Sequence, residues 1–238
     1  ILKGMFLDMQ ELEYLDWDQP WWNQSYNDLI TLDGKQYMCA GELAQTMISG
    51  TYVTFFNKKL WAENFGDDNL YEIVMNGDWT LDKMKQYCDE MYRDLNGNGS
   101  VDEEDRFGFV YLEKQIQGDA FAGGANIAFT TYNEGDGYYY WTLENERTSN
   151  FLSKMKALMH ENNNVWFTKE AEHSFSVDLM YKMVDDTALF MPHMLSGTDQ
   201  LRDMKSDYGI VPMPKLDETQ ENYTTFVHNG FTVFAIPT

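Results

Sequence analysis

Between Arg93 and Arg106 the chain runs Asp94-Leu-Asn-Gly-Asn-Gly-Ser-Val-Asp-Glu-Glu-Asp105. Oxygen-bearing side chains fall at positions 1, 3, 5, 9 and 12 of this stretch, namely Asp94, Asn96, Asn98, Asp102 and Asp105, and Gly99 stands at position 6. A hard divalent cation such as calcium takes six to eight oxygens, alternate residues of a tight loop turn theirs inward, and a glycine permits the sharp bend. Ser100 at position 7 would add its backbone carbonyl. The spacing therefore predicts one structural calcium ion held by Asp94, Asn96, Asn98, Ser100 and Asp105.

Other chemistry finds no support in residue spacing. His160, His173, His193 and His228 are too scattered for a metal or triad pattern, and no G-x-S-x-G, H-E-x-x-H, P-loop or G-x-G-x-x-G occurs. Acid pairs such as Asp185-Asp186 and Glu103-Glu104 mark solvated surface in a chain with 39 acids. Cys39 and Cys88 match no zinc or redox spacing and leave two readings open, a pair of buried thiols or one disulfide. The aromatic content is a positive signal: 15 Tyr, 15 Phe and 7 Trp, partly in polar surroundings. Aromatic faces stack on the C–H faces of sugar rings while nearby carboxylates and amides take the hydroxyls, so this composition suits a carbohydrate site.

The elements that must position these groups alternate between helix and strand. Asn23 to Leu29, Lys58 to Asn64, Leu70 to Met75, Leu81 to Arg93, Gly118 to Ile127, Glu146 to Glu161, Val177 to Asp185 and Thr198 to Met204 read as helices. Gln36 to Cys39, Tyr52 to Phe56, Phe107 to Leu112, Thr187 to Met191 and Tyr208 to Pro212 read as strands, with Ala40 to Gly50 as a link. Asn133 to Gly137 reads as the turn of a hairpin between Ala128–Tyr132 and Tyr138–Leu143. This order predicts an α/β fold with a mixed sheet flanked by helices.

With 238 residues the chain is long enough for one large or two modest domains. Its net charge of −22 leaves no basic face for nucleic acid or an anionic bilayer. No run of 18 apolar residues is present. The start at Ile1 and the stop in the apolar run from Phe231 to Pro237 are read as cuts within a longer gene product.

Several stretches in order resemble the extracellular solute-binding proteins of ABC importers, in particular the large sugar- and oligosaccharide-binding group. Asp33-Gly-Lys-Gln-Tyr37, followed by Tyr52-Val-Thr-Phe-Phe-Asn-Lys-Lys-Leu60, is similar to the strand pair that crosses between lobes. Asp78-Trp-Thr-Leu-Asp-Lys-Met84 is similar to a helix start of that family, and Met183 to Met191 to its helix-to-strand step, with Asp186 in place of the usual glycine. Tyr208 to Lys215 and Asn229 to Pro237 complete the series. The loop at 94–105 separately resembles those of EF-hand and dockerin proteins, although position 12 holds Asp105 rather than Glu.

The family resemblance implies a type II periplasmic-binding-protein fold, here mostly one lobe with its crossovers. Residues 1–40 would be a lobe-one segment and first crossover, 41–225 lobe two with the calcium-type loop, and 226–238 the second crossover. It implies that Glu42, Tyr111, Glu113, His193, His228 and Asn229 line the ligand cleft, with His193 where a stacking Trp is common. It further implies a non-enzymatic carbohydrate receptor for ABC permease subunits, extracellular, monomeric, and tied to a membrane only by a lipid anchor outside this chain. The rival readings are a glycoside hydrolase, which needs two cleft carboxylates roughly 5–9 Å apart, and a calcium-stapled adhesion or scaffold module.

Overall fold

The computed structural model describes residues 4–112, 115–133, 135–168 and 177–238. The chain divides into two compact units, Ile1–Thr51 with Val227–Thr238, and Tyr52–Phe226. Residues 41–51, expected with the second lobe, thus fall in the smaller unit.

In the smaller unit, α1 (Gln24–Ile30) starts at Asn23, whose side chain accepts the Tyr26 N–H, and α2 (Gln45–Ser49) lies within the stretch expected to be a bare link. Ala40, Ala44 and Met47 form its core with Tyr26, Val227, Phe231 and Val233 packed around them. The expected strand at Gln36–Cys39 is not continuous. Leu32 pairs with Lys35 across the Asp33-Gly34 turn, Gln36 is held by the Asp8 carboxylate (3.1 Å), and Cys39 bridges Phe234. With the Thr51–Val227 bridge, this sets residues 39–51 beside residues 227–234.

The larger unit begins with β1 (Tyr52–Asn57), whose Val53 and Phe55 face one side of the sheet while Tyr52 and Phe56 face the other. Asn57 then caps α3 (Lys58–Phe65) through the Leu60 N–H (3.0 Å). There follow α4 (Leu70–Met75), α5 (Leu81–Asp89), β2 (Phe107–Leu112), α6 (Gln115–Gly124), and a hairpin of β3 (Thr130–Asn133) and β4 (Tyr138–Trp141). The unit closes with α7 (Glu146–His160), β5 (Val165–Thr168), α8 (Val177–Val184), β6 (Ala188–Met194) and β7 (Tyr208–Val211).

Among the described residues, five strands form one mixed sheet in the order β5-β2-β6-β1-β7. β2 is parallel to β5 and β6, and β1 is antiparallel to β6 and β7. Leu60, Trp61, Leu81, Met84, Phe121, Phe151 and Leu158 pack from α3, α5, α6 and α7 against Phe56 and Phe109. Met180 and Met183 of α8, with Leu201, pack on Phe55 and Val110 of the opposite face. Burying such side chains is the main source of stability, at ~1.5–3 kcal/mol each. Close approach of α5 to β2 requires Gly108, since a Cβ there would lie 2.5 Å from that of Cys88.

Two helix expectations need correction here. The helix expected to reach Arg93 ends at Asp89, because Arg93 instead exchanges backbone hydrogen bonds with Arg106 (3.1 and 3.0 Å) and closes the loop between them. Thr198 to Met204 falls across two 3-10 segments, Leu195–Asp199 and Leu201–Asp203, whose only buried residues are Gly197 and Leu201, too few for an α-helical stripe. β5 was not anticipated from the sequence. Both cysteines are buried and free, so no disulfide joins them. Asp186 adopts the left-handed conformation (φ 56°) that is natural to glycine. Its carboxylate accepts hydrogen bonds from Asn57 (2.6 Å), Lys59 (2.9 Å) and Ser206 (2.8 Å), which offset that strain.

Candidate functional site

Because β2, β5 and β6 run parallel, their carboxyl ends share one edge of the sheet, the edge at which open α/β folds bind ligands. The antiparallel β1 starts at that edge, with Tyr52 opposite Met194. Gln117 of α6, almost fully buried, ties two strand ends together. Its amide nitrogen donates to the Pro192 carbonyl of β6 (2.6 Å), and its amide oxygen accepts the Leu112 N–H at the end of β2. Tyr111 is half-buried among Phe109, Phe121 and Phe167, with its hydroxyl against Gly118.

Asp119, two residues after Gln117, sits near Tyr52. Burial raises the Asp119 carboxyl above its ordinary 3.8. Burial first, and the Asp119 charge second, push the Tyr52 phenol up to about 12. This edge therefore carries aromatic rings and a carboxyl group of raised proton affinity, while the Gln117 amide is engaged in joining the strands. These groups suit hydrogen bonding to a neutral hydroxylated ligand; no nucleophile paired with a base stands among them.

The residues implied by the resemblance are distributed unevenly. Tyr111 lies on the α6 face of the sheet, whereas His193 lies on the opposite face with Phe55, Met180 and Gly197, so the two are not brought together. His193 is 8% exposed, and burial pulls its pKa below 6.5. Its Nδ1 is 3.1 Å from the Met194 carbonyl, which can only accept, so Nδ1 carries the proton of the neutral ring. Glu113 lies outside the described residues, as does His173. In the smaller unit, Glu42 is exposed and its N–H donates to Trp21 (2.8 Å). His228 donates its N–H to Gly50 (2.9 Å) and accepts the Gly230 N–H at Nδ1 (3.1 Å), and Asn229 is exposed. Gln117 and Asp119 were missed in the sequence; the signal was a polar Gln-Gly-Asp run opening a helix directly after a strand.

No family model matches the sequence, and no curated protein matches it. Solved structures do resemble the chain. A substrate-binding protein of an ABC system from Listeria monocytogenes, in complex with cycloalternan, matches 92% of this chain over 50% of its own, at 16% identity and a TM-score of 0.58. A cyclo/maltodextrin-binding protein complexed with maltotetraose matches 99% over 51% of its length, at 14% identity and 0.59. UgpB from Mycobacterium tuberculosis, in complex with glycerophosphocholine, matches 99% over 51%, at 12% identity and 0.59.

The fold is that of a solute-binding protein. The chain spans about half the length of the solved solute-binding proteins it resembles.

The 94–105 loop is ordered by its own side chains. Asp94 accepts the N–H groups of Gly97 (2.7 Å) and Gly99 (2.9 Å), while Asn96 and Asn98 accept those of Asn98 (2.9 Å) and Ser100 (2.7 Å). Gly97 and Gly99 supply the left-handed conformations the turns need (φ 70° and 74°). The amide nitrogens of Asn96 and Asn98 donate to Asp102 (3.3 and 2.6 Å). Asp105 is fully buried, and its oxygens are taken by Leu95 N–H (3.2 Å), Asp102 N–H (3.2 Å) and the Tyr92 hydroxyl (3.0 Å). Among the described residues no three His, Cys, Asp or Glu side chains are grouped to share a metal. The expected donors, Asp94, Asn96, Asn98, the Ser100 carbonyl and Asp105, are all oxygen and fit a hard cation in kind, and at Asp105 the ion would displace the hydrogen bonds its carboxylate now accepts. Lys182 of α8 anchors the loop's far end, with Nζ on the carbonyls of Glu103 and Asp105 (2.9 Å to the latter).

Proposed function

We propose that the chain is part of the substrate-binding component of an ABC importer, and that it captures a carbohydrate by closure of a cleft for delivery to permease subunits. The observation that carries this reading is the alignment of nearly the whole chain with substrate-binding proteins, two of them in complex with oligosaccharides. The sheet edge supports it, since it carries the half-buried Tyr111 ring and, near Tyr52, the Asp119 carboxyl. Stacking would supply affinity, and polar groups left unpaired by a wrong sugar would supply specificity. On this reading the protein is non-enzymatic, extracellular or periplasmic, monomeric, and held to a membrane only by a lipid anchor. The 94–105 loop would hold one calcium ion through Asp94, Asn96, Asn98, the Ser100 carbonyl and Asp105, as a staple with no part in transport.

The test is a thermal-shift and calorimetric panel of maltotetraose, cycloalternan, other neutral oligosaccharides and glycerophosphocholine, with chromatography of the mixtures. Binding of at least one oligosaccharide without product formation is expected, and Asp119→Asn should weaken it. Release of shorter sugars would overturn the non-enzymatic reading in favour of a hydrolase. Binding of glycerophosphocholine alone would overturn the carbohydrate assignment.

A further inference from the structure

The β3–β4 hairpin displays rings where a surface ribbon ordinarily displays polar side chains. Trp141 is 79% exposed, Tyr138 67%, Tyr139 52%, Tyr140 50% and Tyr132 46%. The register pairs Thr130 with Trp141, Thr131 with Tyr140, Tyr132 with Tyr139 and Asn133 with Tyr138. Tyr132, Tyr139 and Trp141 therefore share one face, and Tyr138 and Tyr140 the other. On the first face the Tyr132 and Tyr139 rings are 5.0 Å apart and tilted by 49°, and Trp141 follows Tyr139 at roughly 7 Å along the strand.

This display is held in place. Asn133 accepts the Gly135 N–H at its side chain (2.8 Å) and the Gly137 N–H at its carbonyl (2.9 Å). Asp136 accepts the Tyr138 N–H (3.1 Å) and the Tyr140 hydroxyl (2.6 Å). At the base, Thr142 bonds Phe129 (3.1 Å) through its N–H and Ala128 (2.8 Å) through its hydroxyl. A ribbon fixed before its ligand arrives loses little freedom on binding, and Tyr and Trp have few rotamers to surrender.

We propose that this hairpin is a second carbohydrate-binding platform, separate from the sheet edge, on which a neutral glycan chain stacks across Tyr132, Tyr139 and Trp141. Charge selects the occupant. Between Lys114 and Arg147, which flank the segment, no Lys or Arg occurs, whereas Asp119, Glu134, Asp136, Glu144 and Glu146 do. Nucleic acid, whose bases also stack on rings, needs cations for its phosphates, and an anionic bilayer needs them for its headgroups. A polyhydroxylated, uncharged ligand needs only ring faces and acceptors, both of which the ribbon provides. The choice of ligand class rests on the proposed function; the platform rests on the exposed rings.

The experiment is affinity electrophoresis of the chain through gels containing amylopectin, mixed-linkage β-glucan, arabinoxylan or galactomannan, beside Trp141→Ala and Tyr139→Thr. Circular dichroism and melting curves establish that both variants fold. At least one polysaccharide should retard the parent chain, and each variant should weaken that retardation at least fivefold. Short-oligosaccharide binding should persist in both variants, while Asp119→Asn should do the reverse. Loss of oligosaccharide binding by the parent with retardation intact would sink the sheet-edge site alone. No retardation by any of the four polymers, equal retardation of parent and variants, or a sedimentation change showing that the hairpin joins two copies of the chain would overturn the platform.

Discussion

Replacing Gln117 by leucine keeps the volume of a buried side chain and deletes its amide. Two main-chain groups then lose their partner, the Leu112 N–H and the Pro192 carbonyl, which the amide now joins across the ends of β2 and β6. A buried polar group left unpaired costs about 1–3 kcal/mol. Leu112 is half-buried and can recover a water, so its share lies at the low end. The two together give a loss of roughly 2–4 kcal/mol. At about 2–4 °C per kcal/mol for a unit of this size, the melting temperature should fall by roughly 5–15 °C. Urea unfolding followed by tryptophan fluorescence measures the free energy directly, with Trp61 and Trp79 buried in the same unit as reporters. A change below about 0.5 kcal/mol, the scale of an ordinary surface substitution, would refute the idea that one amide staples the two strand ends.

The His193 ring is neutral because burial holds its pKa below 6.5. The unfolded chain binds the proton first as pH falls, so this contribution to stability is complete above pH 6.5 and is lost as pH drops through the lower folded value. His193→Gln should flatten the slope of stability against pH in that window, and an unchanged slope in urea titrations would contradict the assignment. If loop 94–105 holds calcium, a hundredfold excess over Kd adds about 2.7 kcal/mol. Chelator should then lower the melting temperature of the parent chain and leave Asp94→Ala unaffected, whereas a parent curve indifferent to chelator reduces the loop to a hydrogen-bonded turn.

Much of the larger unit was legible because its local signals agree with its tertiary setting. Asn76-Gly77 ends α4 where the apolar stripe ends, and Phe107 to Leu112 is a strand with both the β-propensity and the burial of one. The misses occur where a distant partner decides. Arg93 could extend a helix, and only Arg106 across the loop draws it away. β5 has four residues, too few for alternation to register, and exists because β2 offers it a parallel edge. The site was harder still. The resemblance pointed to Tyr111 and His193 by position in a motif, but strand alternation sends their side chains to opposite faces, and a motif match carries no such parity. Gln117 becomes visible only once the carbonyl of Pro192, far along the chain, is known to need a donor.

The strand order β5-β2-β6-β1-β7 also fixes a timetable. β1, the first described strand of its sheet to leave the ribosome, has its two neighbours in β6 and β7, which begin about 130 and 150 residues later. At ~5–20 residues per second, the Tyr-Val-Thr-Phe-Phe segment waits on the order of ten seconds with both edges open. Such a segment has strong β-propensity and little charge, the composition that pairs with other chains. Folding of this lobe is therefore controlled by its last-made strands, and the yield of soluble protein should respond to translation speed and to chaperones that mask Tyr52–Asn57 more than to the stability of the finished sheet.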